Sequence, residues 1–375
     1  MTRYLLLILL LMLFLFNVGS VEAQRRIHSR TQGFSFKAKM NNLGVIGGIA
    51  YYRFPEPLGG DSLGFEFPIG DFTEHIYGAG LWIGGRMDTS SLGGGSPIAL
   101  TSVTYEGWSG PYYELYPGTT PGDSFWTATR RDSIPPEGWN EYWGGALPFN
   151  PRSDRDYYCF YRDDSVRVSG HVPMHIKVVQ SSFAWDESQD SPILVLEYRL
   201  MSTWRRTIED LYFGFFLDGN VGPIDLPSYW TKNFFEYDNN VPLASIHNPL
   251  YPSVTPIGLS ILETPAPVDS LRVTVRSFPG VGTPPTDAQK HLMLQSGLID
   301  TSGFANLGDI QFVVANGPFR LHPPTDPHPD TLVFVVAIVS GQNTTDMKHN
   351  VSRARELYQT NNSTVSSVGR RKRDN

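Results

Sequence analysis

Between Ile208 and Asp218 the side chains alternate in a way that only an extended strand accommodates. Leu211, Phe213, Phe215 and Leu217 fall on one face; Tyr212, Gly214, Phe216 and Asp218 fall on the other. Both faces are largely apolar, which predicts a central strand covered on both sides. Related runs occur at Gly78–Arg86, Ile98–Tyr105, Asp156–Tyr161, His175–Trp185 and Ile193–Thr203. Others follow at Ile257–Glu263, Leu271–Ser277, Ile310–Ala315 and Thr331–Ser340. His175–Trp185 sets Ile176, Val178 and Ala184 against His175, Lys177 and Ser181, which predicts one wetter face. With 36 Gly and 29 Pro between such runs, the chain should be rich in turns and poor in long helices.

Two helices are expected. Asp287–Ser296 has Asp287 as N-cap and Gly297 as stop. Thr345–Gln359 carries Met347, Val351, Ala354, Leu357 and Tyr358 on one stripe, with Thr344 or Thr345 as cap. The fold class that follows is all-β: an antiparallel β-sandwich, one large or two abutting, with a short C-terminal helix packed on it.

Arg3, the apolar block Tyr4–Phe16 and the small-residue ending Val21-Glu22-Ala23 read as a signal peptide over residues 1–23. The block has 13 residues, fewer than the roughly 20 that a membrane-spanning helix needs. The mature chain is therefore expected to begin near Gln24, without a transmembrane segment, and to be secreted or held at the cell surface. A polar, flexible segment at 24–33 follows, then an aromatic, Gly/Pro-rich β part at 34–165 and a more regular β part at 166–342. The helix takes 343–360, and a basic tail at 361–375 reads as disordered. A boundary near Ser165–His171 and one continuous double-sheet body both fit this pattern.

The net charge is −7, and both ends are basic, so the body between them is acidic. That disfavours nucleic acid as a partner, because phosphate binding needs clustered cations. The single cysteine, Cys159, lies in an aromatic strand and reads as a buried small hydrophobe.

Three kinds of chemistry can be weighed. Asp218 and Asn220, with Asp225 close behind, offer oxygens at a strand end that suit calcium, the only cofactor the sequence raises. An ordinary Asx-Gly turn explains the same residues. Trp108, Tyr112, Tyr113, Trp126, Trp139 and Trp143 form an aromatic segment that could bind a glycan or cover a flank of the sandwich. Glu141 among those rings could act as a glycosidase acid if Asp163 or Asp164 lay across a cleft. No HExxH zinc motif, Gly-x-Ser-x-Gly elbow or dinucleotide fingerprint is present, and no residue is assigned as catalytic.

Five phrases together carry a resemblance: Tyr77–Gly85, Asp210–Asp218, Gly258–Pro265, Ala315–Leu321 and Phe334–Gly341 with the helix after it. In these the chain resembles uncharacterised exported β-rich surface and secreted proteins of gliding-type and related environmental bacteria. The resemblance implies export, a β-rich body and a surface or matrix role, and it brings no active site. Asn220 stands where that group often has a second Asp, which weakens the calcium reading. The expected function is a non-enzymatic structural, adhesive or binding role outside the cell, toward a glycan or an envelope or matrix protein. The alternative is a carbohydrate-binding or glycoside-hydrolysing protein that uses residues 108–143.

Overall fold

The alternating segment forms the centre of a five-stranded sheet in the structure, a computed structural model that describes 29–32, 35–48, 63–90, 95–107, 114–117, 126–135, 139, 149–164, 168, 170–186, 192–302, 307–327 and 330–370. Strand β11 (Ile208–Pro223) pairs on one side with β4 (Thr73–Met87) and on the other with β16 (Ile310–Leu321). β5 (Ile98–Val103) and β15 (Arg272–Pro279) complete this sheet at its two edges.

A second sheet has nine strands. It runs β12 (Phe234–Asp238), β13 (Leu243–His247), β14 (Ile257–Glu263), β17 (Leu332–Ser340), β10 (Ile193–Ser202), β9 (Ile176–Ala184), β8 (Arg155–Asp163), β6 (Tyr116–Pro117). β7 (Trp126–Ala128) also pairs with β8. A small third sheet of β1 (Ser29–Gln32), β2 (Lys37–Asn41) and β3 (Phe65–Glu66) is tied to β4 by paired backbone hydrogen bonds between Ile46 and Ala79. All strand pairings are antiparallel.

The two large sheets face each other across one apolar core. Phe213 and Phe215 of β11 meet Tyr198 of β10, and Phe213 stacks on Phe334 of β17 at 4.1 Å. Full burial of each such ring stabilises by about 1.5–3 kcal/mol, so this interleaving is a main cohesive contact. The fold is thus the antiparallel sandwich that the alternation predicted. Strands from both sides of residues 165–171 contribute to it.

The other face of β11 is covered too. Phe216 stacks on Trp82 at 5.0 Å, and helix α1 (Asp287–Leu294) lays Leu294 into the same cluster. On the far side, helix α2 (Thr344–Arg370) packs Met347, Val351, Ala354, Leu357 and Tyr358 against Trp185, Ile193, Val195, Val335, Ala337 and Val339. The predicted stripe is the buried one. Among the described residues, no helix is long and apolar enough to cross a membrane.

Several local expectations are corrected. Thr286, not Asp287, caps α1, its Oγ1 accepting from the Gln289 N–H at 3.3 Å; Asp287 already lies inside the first turn, where a carboxylate suits the helix dipole. Asn343, not Thr344 or Thr345, caps α2 by accepting from the Asp346 N–H at 3.0 Å. α2 spans Thr344–Arg370, past the expected end at Gln359. Ser29–Gln32, expected to be flexible, pair with Ala38–Asn41. β9 buries Gln180, Ser181 and Ser182 along with its apolar side chains, because both its faces are covered, Val178 by the main core and Val179 and Phe183 by packed groups on the outer face; only Lys177 is partly open. Residues 1–23, the proposed leader, lie outside the described residues.

Candidate functional site

Near its C-terminal end β11 loses register with β4, with shifts between Asp218 and Gly219 and between Gly219 and Gly222. Such bulges re-aim side chains and are common beside functional sites. Here the irregularity borders a cleft of about 410 Å³. Glu74 and Tyr77 of β4, Asp218 and Asn220 of β11 and Gln311 of β16 line it, with Gly280 and Asp309 beside them. Tyr229 and Trp230, from a single 3-10 turn at Tyr229–Lys232, complete the lining. A Cβ at Gly280 would meet the Asp309 carboxylate where it now stands, so a side chain there would displace that acid.

Asp218 is buried. Its Oδ2 accepts from the Tyr105 hydroxyl at 3.1 Å and from Gln311 Nε2 at 3.0 Å. Gln311 is oriented for this because its Oε1 accepts from Thr283 Oγ1 at 3.1 Å. Burial pushes the Asp218 carboxyl up to about 8, with nearby Asp309 adding to the rise, and outweighs the two hydrogen bonds that favour the anion. Asp309 is also raised by burial. At neutral pH Asp218 is therefore mainly a neutral acid, able to donate as well as accept. Glu74 accepts from the Tyr229 hydroxyl at 2.5 Å, and Tyr229 meets Trp230 edge-on at 5.3 Å. Trp230 is 39% exposed, so its ring combines a fixed edge with an open surface.

Of the residues singled out in the sequence, Asp218 and Asn220 come together in this cleft. Asp225 is exposed and is not part of the lining. Trp126 and Trp139 belong to a packed group on the outer face of the nine-stranded sheet. Trp139 is buried, with ring contacts to Trp126, Phe149 and Tyr158 at 5.8, 5.0 and 5.1 Å. Trp108, Tyr112, Tyr113, Glu141 and Trp143 lie outside the described residues. Asp163 is buried against Ser102 and His171, and Asp164 accepts from the Tyr116 hydroxyl. Cys159 is buried, and burial pushes its thiol far up.

Sequence reasoning missed Glu74, Tyr77, Tyr229, Trp230, Asp309 and Gln311. Two signals pointed to some of them. Asp309 and Gln311 are two apart where a strand begins, and so share a face. Tyr229-Trp230 is an aromatic pair inside a polar turn after a strong strand. Elsewhere, under α1, Glu114, His171 and Asp287 bring donor atoms within 4.8 Å of one another.

In comparisons with known proteins, no family model matches this chain. No curated protein shows significant similarity to it.

Proposed function

We propose that this is an exported β-sandwich protein that binds carbohydrate in the cleft around Asp218 and serves as a binding or adhesive component outside the cell. The observation that carries the reading is the pairing of a half-open Trp230 with convergent carboxyl and amide groups on Asp218, Asn220, Asp309 and Gln311. A sugar ring has an apolar C–H face that stacks on an aromatic ring, and hydroxyls that need donors and acceptors at its rim. A neutral carboxyl at Asp218 meets a hydroxyl in either role. The cleft volume lies in the range of about 300–1,000 Å³ usual for small-molecule sites. Its surplus of acids favours neutral or amino sugars over uronic acids. Export rests on the leader-like residues 1–23 and on the resemblance described above.

Titration calorimetry with sugars first identified on a glycan array tests this reading. Trp230→Ala is expected to weaken binding about tenfold or more, equivalent to about 1.4 kcal/mol, with the melting temperature nearly unchanged. A silent array, or equal affinity in Trp230→Ala, overturns it.

Hydrolysis at the same cleft is the second reading, favoured by the raised Asp218 carboxyl and the nearby Asp309. Binding is preferred because Asp218 Oδ2 is already engaged by two donors within the sheet. Release of reducing sugar by the wild type, lost in Asp218→Asn while binding persists, would reverse that preference.

A further inference from the structure

Beneath the first turn of α1 is a second polar group, separate from the cleft. His171 lies before β9 with its side chain 1% exposed. Its Nε2 is 3.1 Å from Asp163 Oδ1. The other oxygen of Asp163 accepts from Ser102 Oγ at 2.5 Å and from the Met174 N–H at 2.7 Å. A carboxylate held in that way accepts from the Nε2–H and fixes the ring. His171 Nδ1 then points at two further carboxylates, 3.3 Å from Glu114 Oε1 and 3.8 Å from Asp287 Oδ2. It is buried and not aligned for a hydrogen bond with either. Glu114 has its Oε2 occupied by the Val103 N–H at 2.9 Å, which leaves Oε1 for the histidine side.

We propose that Glu114, His171 and Asp287 form a binding site for a divalent transition-metal ion of the zinc or manganese class, with Asp163 as the residue that orients His171. Ligand atoms around a tetrahedral ion with bonds of about 2.1 Å stand about 3.4 Å apart; the two spacings from His171 Nδ1, 3.3 and 3.8 Å, lie on either side of that value, and all three atoms lie within 4.8 Å of one another. One imidazole nitrogen with two carboxylate oxygens suits zinc or manganese better than calcium, which takes six to eight oxygens. Glu106, Glu114, Asp163 and Asp287 share this region with Lys290, which pairs with Glu106, and with His171, whose charged form burial opposes but Asp163 and Glu114 favour, raising it to about 10. An imidazole lone pair facing two carboxylates is unfavourable unless a proton or a metal ion lies between them. Asp287 is 22% exposed, which gives an ion a way in and a water a place to complete its coordination. The ion would cross-link the segment after β5, the loop before β9 and the start of α1.

The competing state is a proton on Nδ1, and the experiment separates the two. The full chain, stripped with EDTA and dialysed, is titrated with zinc chloride and separately with manganese chloride by calorimetry. Metal content after gel filtration is measured in parallel. The expected result is one ion per chain, a melting temperature raised by several degrees, and at least a tenfold loss of affinity in Asp287→Asn and in Glu114→Gln. Asp287 is partly exposed, so its variant keeps the test open should a His171 variant fail to fold. Asp218→Asn must keep full uptake, because the cleft is a different site. No stoichiometric uptake of either ion by the wild type overturns the proposal. So does uptake unchanged in Asp287→Asn and Glu114→Gln, or lost in Asp218→Asn.

Discussion

Beneath α2, Glu197 is buried with its charge fully answered. Arg152 and Arg199 each approach it at 2.7 Å, and the Tyr358 hydroxyl of α2 donates to it at 2.5 Å. Burial would raise this carboxyl, but Arg152 and Arg199 outweigh burial and hold it below its ordinary value. Beneath α1, four carboxyls share a region with one lysine and one histidine, and in the neighbouring cleft Asp218 and Asp309 are both pushed up. Each outer face is a sheet closed by a helix, but α2 buries an apolar stripe whereas α1 buries Lys290, His291 and Leu294. Their polar groups differ in balance. A matched group fastens a helix down, whereas an unmatched group keeps a need for something from outside, whether proton, cation or hydroxyl.

The sharpest way to break this contrast is to remove the anion on the matched face. Glu197→Ala strands the Arg152 guanidinium under α2 and should cost about 3–5 kcal/mol in urea unfolding. A loss below about 1 kcal/mol would mean that the group contributes little to fastening the helix.

A smaller effect is expected at the cleft, and it depends on pH. The Asp218 carboxyl titrates near 8 when folded and near 4 when unfolded, so the folded state holds the extra proton between those values. Stability from this group is complete below about pH 4 and is lost as pH rises toward 8. Between pH 6 and 7.5 the wild type should lose roughly 2 kcal/mol relative to Asp218→Asn, read from unfolding curves at each pH. Parallel curves for the two proteins would place the titration elsewhere.

The smallest effect belongs to the unmatched group. In metal-free protein, Asp287→Asn should change stability by less than about 0.5 kcal/mol, because relief of carboxylate repulsion offsets a weakened helix-dipole contact. A loss as large as that of Glu197→Ala would erase the distinction between the faces.

What the sequence made legible was local. The period-two pattern of Ile208–Asp218 located the central strand, and the stripe from Met347 to Tyr358 located the helix face, because each is written in neighbouring residues. β14 matches its expected bounds, Ile257–Glu263. The short hairpin of β12 and β13 escaped notice, since polar Glu236 and Ser245 interrupt runs of only five residues. The cleft was half legible. Asp218 and Asn220 stand out at a strand end, but Glu74 and Asp309 join them only through sheet pairing. His171, Glu114 and Asp287 come from three distant segments, each an ordinary loop or helix residue by itself. Period and capping do not report which loops meet.

Tyr105 and Glu106 are consecutive just after β5. The first donates to Asp218 in the cleft, and the second is ion-paired with Lys290 of α1. The same stretch of backbone therefore carries both a hydrogen-bond donor of the cleft and an anchor of α1. Any effect of a bound sugar on ion affinity would have to be matched by an equal effect of the ion on sugar affinity, by thermodynamic reciprocity.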